Sequence, residues 1–247
     1  LIRPGGSGLA CRRLWFWSAI AGLGVAGNFS FYFVSIEEGS IAVAVTLMYC
    51  APVFVYLVSF VLKLERPTAV KGGAIALVMI GIVLLTRIYN IDNASVTVIG
   101  VGAGLLAGLC YALFIFGFKY AAMYGSPQAI LVIAFSVFSI VLIWPSDADQ
   151  TIAVLSTPSW PLFATLGVLG AGLSFIFYII GLNNTSPAVA SVVAMVEPVT
   201  ASLFGFMFLN ESLIGSQVLG MTLILITVTA LSVYSNARQR SSGSGHS

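Results

Sequence analysis

The chain has 247 residues, 59% of them hydrophobic and 7% charged, with a formal net charge of +2 and a mean hydropathy of +1.06. A soluble domain carries about 25% charged residues, so no water-facing surface can be assembled from this inventory and the chain reads as an integral membrane protein. The three cysteines, Cys11, Cys50 and Cys110, show neither disulfide nor metal spacing, and the one histidine, His246, lies in the terminal tail. A metal centre and histidine-based catalysis are therefore not expected.

Eight apolar runs are long enough to span a hydrocarbon core, which takes about 20 helical residues. They cover roughly 14–36, 40–62, 69–86, 97–118, 127–144, 161–182, 187–209 and 213–234, and predict an all-α, polytopic membrane fold. The connections are short and carry polar or helix-breaking residues. Residues 1–13 read as an N-terminal segment and the Ser/Gly/Arg-rich residues 235–247 as a disordered tail. The sequence opens on Leu1 rather than Met, as expected of a fragment or a processed chain, and no signal peptide is expected.

Basic residues set the expected orientation. With the N-terminus inside, Arg3, Arg12, Arg13, Lys63, Arg66, Lys71, Lys119, Arg238 and Arg240 are cytoplasmic and only Arg87 is external. Both termini are expected on the cytoplasmic side of a cell (plasma or inner) membrane. Glu197 is the one acid expected to be buried within a span. An ionised side chain at the bilayer centre costs about 3 kcal/mol on insertion scales, which makes it a candidate functional group.

The sequence repeats itself. An offset of 146 places Phe31 on Phe177, Pro52 on Pro198 and Glu65 on Glu211 without gaps, with 11 identities in the 35 positions from 31 to 65. The first span then matches the sixth and the second the seventh, an odd shift that reverses orientation in the bilayer. Inverted repeats of this kind generate alternating access around a site at the midplane.

Two copies of an apolar helix with a central Pro and a Glu at its exit, followed by a Gly-containing helix, resemble the EamA-type repeat of the drug/metabolite transporter superfamily. Pro52, Glu65, Arg66 and Pro67 carry the likeness in the first copy, and Glu197, Pro198, Glu211, Gln217 and Gly220 in the second. The resemblance implies ten helices in two bundles of five, cytoplasmic termini, and export or exchange of small organic solutes. About eight of the ten are expected here, matching from the third onward. Residues 14–86 correspond to a partial first repeat of three spans, and 97–234 to a second of five.

Within this frame, Gly22, Gly24 and Gly27 formally match a dinucleotide fingerprint but follow no strand, so they read as helix-packing residues. Gly100, Gly104 and Gly108 read the same way, and Tyr111 continues their face. Gly24, Asn28, Tyr32 and Ser35 share one helical face, and their partners at the offset are Gly170, Ser174, Tyr178 and Gly181. Asn28, Tyr32, Tyr111, Ser174, Tyr178 and Glu197 are the candidate substrate- or proton-binding residues. Packing with local hydrogen bonds is the competing reading for each of them. Ala190, Ala194, Glu197, Ala201 and Gly205 form a stripe of small residues around one acid.

Pro52 and Pro198 are the predicted helix breaks; Pro198 lacks an N–H, which leaves the Ala194 carbonyl without its helical partner. Glu197 is read as binding a cationic part of the solute or a proton, or alternatively as a structural fitting at the break. Its repeat counterpart is Ala51, so the fold does not require an acid there. Glu65 and Glu211 are read as helix-end acids, with capping ahead of gating.

The expected function is a secondary-active or facilitative carrier that exports or exchanges small organic metabolites or drugs. The alternative is a non-transporting membrane scaffold, or an inactive fragment of such a carrier. No enzyme is expected, since one intramembrane carboxylate cannot serve as general acid and base together. The absence of a phosphate-binding loop disfavours an ATP-driven pump. The expected partners are the lipid bilayer, a small-molecule solute and protons, with no nucleic acid and no cofactor. Because no Lys or Arg lies inside a span, a neutral or zwitterionic solute is favoured over a phosphate.

Overall fold

The computed structural model describes residues 11–64, 68–90, 96–143, 152–153, 156–208 and 212–243. Every regular element among them is helical. Eight apolar helices succeed one another: α1 (Arg12–Glu37), α2 (Ile41–Val61), α3 (Ala69–Asn90), α4 (Val98–Ala121), α5 (Pro127–Ile143), α6 (Trp160–Asn183), α7 (Pro187–Phe208) and α8 (Gly215–Ser235). Seven are long and apolar enough to cross a membrane. The remaining one, α5, has 17 residues and rises about 26 Å, close to the lower limit for a span.

These bounds lie within a few residues of those expected. The helix of α8 continues to Gly243, into the segment read as a disordered tail, where Ala237, Arg238, Gln239 and Arg240 are good helix formers that extend an existing helix cheaply. Glu65 and Glu211 lie outside the described residues. Lys71 sits in the first turn of α3 and Lys119 in the last turn of α4, so the expectation that no Lys or Arg lies inside a span is corrected for helix ends.

Two compact units make up the chain, one from 1–27 and 113–185, the other from 28–112 and 186–247. In the first, glycines let backbones touch. A methyl group on Gly22 would lie 2.2 Å from the Ala134 carbonyl oxygen of α5, and one on Gly117 would lie 2.6 Å from the Ala21 nitrogen of α1. Phe114 and Phe118 of α4, Phe135 of α5, and Phe175 and Tyr178 of α6 form an aromatic cluster with ring centroids 5.4–6.5 Å apart. The Lys119 ammonium donates to the carbonyls of Leu182, Asn183 (3.1 Å) and Thr185 (2.9 Å). A cation is thereby held at the C-terminus of α6, where the helix dipole favours positive charge. Residues 166–173 of α6 form a π-helical stretch.

In the second unit α3 and α8 form the most extensive helix pair. They cross at Gly81 and Gly220, and a methyl on Gly220 would meet the Gly81 carbonyl oxygen at 2.6 Å and the Leu85 nitrogen at 3.0 Å. Gln217 fastens the same pair by donating to the Leu85 carbonyl (3.3 Å). Both proline-containing spans are interrupted. The α2 helix runs 41–48, turns at Tyr49 and Cys50, and resumes at Ala51; α7 runs 187–194, turns at Met195, and resumes at Val196.

In each span the interruption falls one turn before the proline, where the ring meets the carbonyl four residues back and has no N–H to offer it. The amides of Cys50 and Met195 tighten the turn instead, donating to Leu47 (3.1 Å) and Val192 (3.1 Å). Tyr49 and Met195 are 146 residues apart (195 − 49), the offset that superposes the two prolines.

The glycine contacts carry a direct test. Gly220→Ala should lower the melting temperature of the detergent-solubilised protein by several degrees, since overpacking costs about 1–3 kcal/mol. Gly73→Ala in α3, where the added methyl meets nothing within 4 Å, should leave the melting temperature unchanged or raise it.

Candidate functional site

The site is built on the interruption in α7. Turning at Met195 creates a helix N-terminus inside the span, and Glu197 occupies the first turn of the segment that starts there. A carboxylate at that position complements the positive end of the helix dipole and the amides left without intrahelical acceptors. Met195, Pro198 and Val199 around it are buried, whereas Glu197 is exposed. Glu197 nevertheless lies within the α7 span, Pro187–Phe208.

Three tyrosines from three spans of the second unit interact with this carboxylate. The Tyr111 hydroxyl of α4 is hydrogen-bonded to the Glu197 carboxyl. Tyr32 of α1 and Tyr49 of α2 lie within the electrostatic field of the same group, and Tyr49 also lies within that of Tyr32. Tyr49 is 5% exposed and Tyr111 8%. One carboxylate among phenol hydroxyls can accept hydrogen bonds from them, take up a proton, or bind an ammonium group. Among the described residues no group of three or more His, Cys, Asp or Glu could hold a metal ion.

The frame around the site accounts for other predicted residues. Asn28 is buried, and its amide nitrogen donates to the Ala107 carbonyl at 3.0 Å. Ser35 does the same to Gly100 at 2.7 Å. These bonds hold α1 antiparallel against α4, which supplies both buried polar groups with partners. On α4, Gly108 approaches the interruption in α2 so closely that an added methyl would lie 2.8 Å from the Leu47 carbonyl oxygen and 3.1 Å from that of Met48. Tyr111, one turn further along, then sits beside Glu197.

Asn28, Tyr32, Tyr111 and Glu197 therefore all belong to the second unit, while Ser174 and Tyr178 belong to the first. The Ser174 hydroxyl donates to the Gly170 carbonyl in the π-helical stretch, and the ring of Tyr178 joins the aromatic cluster. Pro52 and Pro198 each follow an interruption. Tyr49 escaped the sequence reading because it falls off the Gly24–Ser35 face and its offset partner is Met195. Its position three residues before Pro52 was the available signal. Lys119 follows the apolar run of 97–118 directly, so hydropathy alone does not place it in the last turn of α4.

The family model for the EamA-like transporter family matches residues 6–87 and 98–233. The chain is similar to an uncharacterized transporter from Archaeoglobus fulgidus, 29% identical over 80% of this chain and 69% of that one. It is also similar to Protein PecM of Dickeya dadantii, at 28% over 76% of this chain and 64% of that one. A third relative is the Threonine/homoserine exporter RhtA of Salmonella typhimurium, 26% identical over 83% of this chain and 66% of that one. The chain thus spans about two-thirds of the length of these relatives. A solved crystal structure shares the fold, with a TM-score of 0.76 at 19% identity over 93% of this chain and 79% of that one. With its helical, multi-pass architecture and a match across most of its length, the chain belongs to the EamA-like transporter family.

Proposed function

We propose that the protein is a carrier of small zwitterionic metabolites, with Glu197 as the group that binds either the solute ammonium or a proton. The observation that carries the proposal is the carboxylate at the restart of α7, exposed and hydrogen-bonded to Tyr111. An acid held within a span at an interrupted helix is costly unless it handles charge, and discontinuous helices form the binding sites of many secondary transporters.

The offset of 146 between the two interrupted spans supports alternating access by two oppositely oriented repeats. On this reading Asn28 and Tyr32 line the site with Tyr111, and both termini face the cytoplasm of the cell membrane. The name of the Salmonella relative, Threonine/homoserine exporter, supports an amino acid as solute and makes threonine the first probe. The second reading, a non-transporting scaffold or partial carrier, is favoured by the chain spanning about two-thirds of its relatives' length.

In proteoliposomes, Glu197→Gln should reduce threonine flux by about tenfold or more, as the loss of a charge-assisted interaction implies, and flatten its pH dependence while membrane insertion stays normal. Wild-type flux with an unchanged pH profile would remove Glu197 from the mechanism. Flux that requires two further helices joined to the N-terminus would favour the second reading.

Orientation is tested separately. With Cys11, Cys50 and Cys110 replaced by Ser, a single cysteine at Ser241 should react with a membrane-impermeant maleimide in inside-out vesicles only. Labelling in intact cells would reverse the topology.

A further inference from the structure

The offset of 146 pairs α1 with α6, yet the two helices differ in what covers them. In α1 the face that carries Ala21, Asn28 and Ser35 is buried, and α4 covers it. A methyl on Gly117 would lie 2.6 Å from the Ala21 nitrogen, and the carbonyls of Ala107 and Gly100 accept hydrogen bonds from Asn28 and Ser35. The counterparts on α6 are Gly167, Ser174 and Gly181, and all three are exposed. A methyl on Gly167 or Gly181 would meet nothing within 4 Å among the described residues. Of the most apolar stretch of each span, 39% is buried in α1 and 6% in α6. Gly167, Ser174 and Gly181 are seven residues apart and share one side of the helix, whereas the exposed Leu166, Leu169 and Leu173 lie on another. Leucines suit acyl chains. Small residues instead let a second helix approach closely.

We propose that the Gly167–Ser174–Gly181 face of α6 is a docking surface for a further membrane-spanning helix with a glycine face like that of α4, placed ahead of α1 in the repeat. Order in the repeat selects this occupant. Helix α4 stands two spans ahead of α6 and packs on α1, so its counterpart stands two spans ahead of α1 and packs on α6. The match covers 66% of the Salmonella exporter, which leaves that relative further chain for such a span. A second copy of this chain does not offer the same helix, because its α4 is already engaged by its own α1. The surface belongs to the first unit and Glu197 to the second, so its role is separate from the one proposed for that carboxylate.

The test is disulfide cross-linking on the full chain in lipid nanodiscs, with Cys11, Cys50 and Cys110 replaced by Ser and a single cysteine introduced by Gly167→Cys. The probe is a synthetic peptide of residues 97–122 carrying Cys110→Ser and Gly117→Cys. Gly117 meets Ala21 on α1, and Gly167 is the counterpart of Ala21 (21 + 146 = 167). On oxidation the peptide should cross-link to Gly167→Cys at least about tenfold more than to Leu169→Cys, at the same depth on another face, because a disulfide needs Cα atoms within about 7 Å. Adding Gly181→Leu to the Gly167→Cys protein should lower the yield about tenfold by overfilling the face. Equal yields at 167 and 169, no cross-link at 167, or no effect of Gly181→Leu would overturn the proposal. Cross-links between two chains at 167 that the peptide does not displace would assign the face to a second copy and overturn it as well. Each of these outcomes leaves the threonine-flux test of Glu197 unaffected.

Discussion

A proline inside a membrane helix removes one backbone donor in a medium that supplies no water to replace it. The second unit of this chain answers that constraint twice. In α2 and in α7 the helix turns about one residue short of a full turn before the proline, and the amides of Cys50 and Met195 close tighter bonds across the gap. The consequence is two helix N-termini within spans, at Ala51 and Val196. Only one of them carries an acid.

That difference turns a packing solution into a site. At the α2 interruption the carbonyls of Leu47 and Met48 are closely approached by Gly108 of α4, and α1 is tied to α4 by the side chains of Asn28 and Ser35. The same helix α4 then presents Tyr111 to Glu197. Glycine spacing, the antiparallel pairing of α1 with α4, and the placement of the carboxylate's hydrogen-bond donor are therefore one connected arrangement. In the first unit comparable work falls to aromatic packing around Phe118 and to Lys119, whose ammonium holds the end of α6. That cation satisfies carbonyls that lipid could not.

Much of this was legible in the sequence because the bilayer imposes strong rules. Apolar runs of span length gave eight helices at nearly the observed bounds, and the offset of 146 pointed to Pro52 and Pro198 as paired breaks. Glu197 stood out because a carboxylate in such a run is costly. What the sequence hid was the direction in which the interruptions turn their neighbours. A helical wheel drawn through residues 24–35 finds Asn28 and Tyr32 but cannot include Tyr49, which lies on the next span at the α2 interruption. Nor could a wheel say that the polar atoms of Asn28 and Ser35 would be engaged by carbonyls of α4, since small polar residues on one face fit packing and binding equally well. The π-helical stretch at 166–173 has no composition that sets it apart from the other glycine-rich spans.

The account stands on the carboxylate of Glu197 responding directly to the transported solute. Isotope-edited infrared spectroscopy of the glutamate carboxyl groups, with Glu197→Gln used to assign the Glu197 band, measures that response in the lipid-embedded protein. The account predicts that this band shifts when the transported solute is added, and that the shift saturates over the same concentration range as flux. A Glu197 band that stays fixed while the protein transports that solute would contradict it.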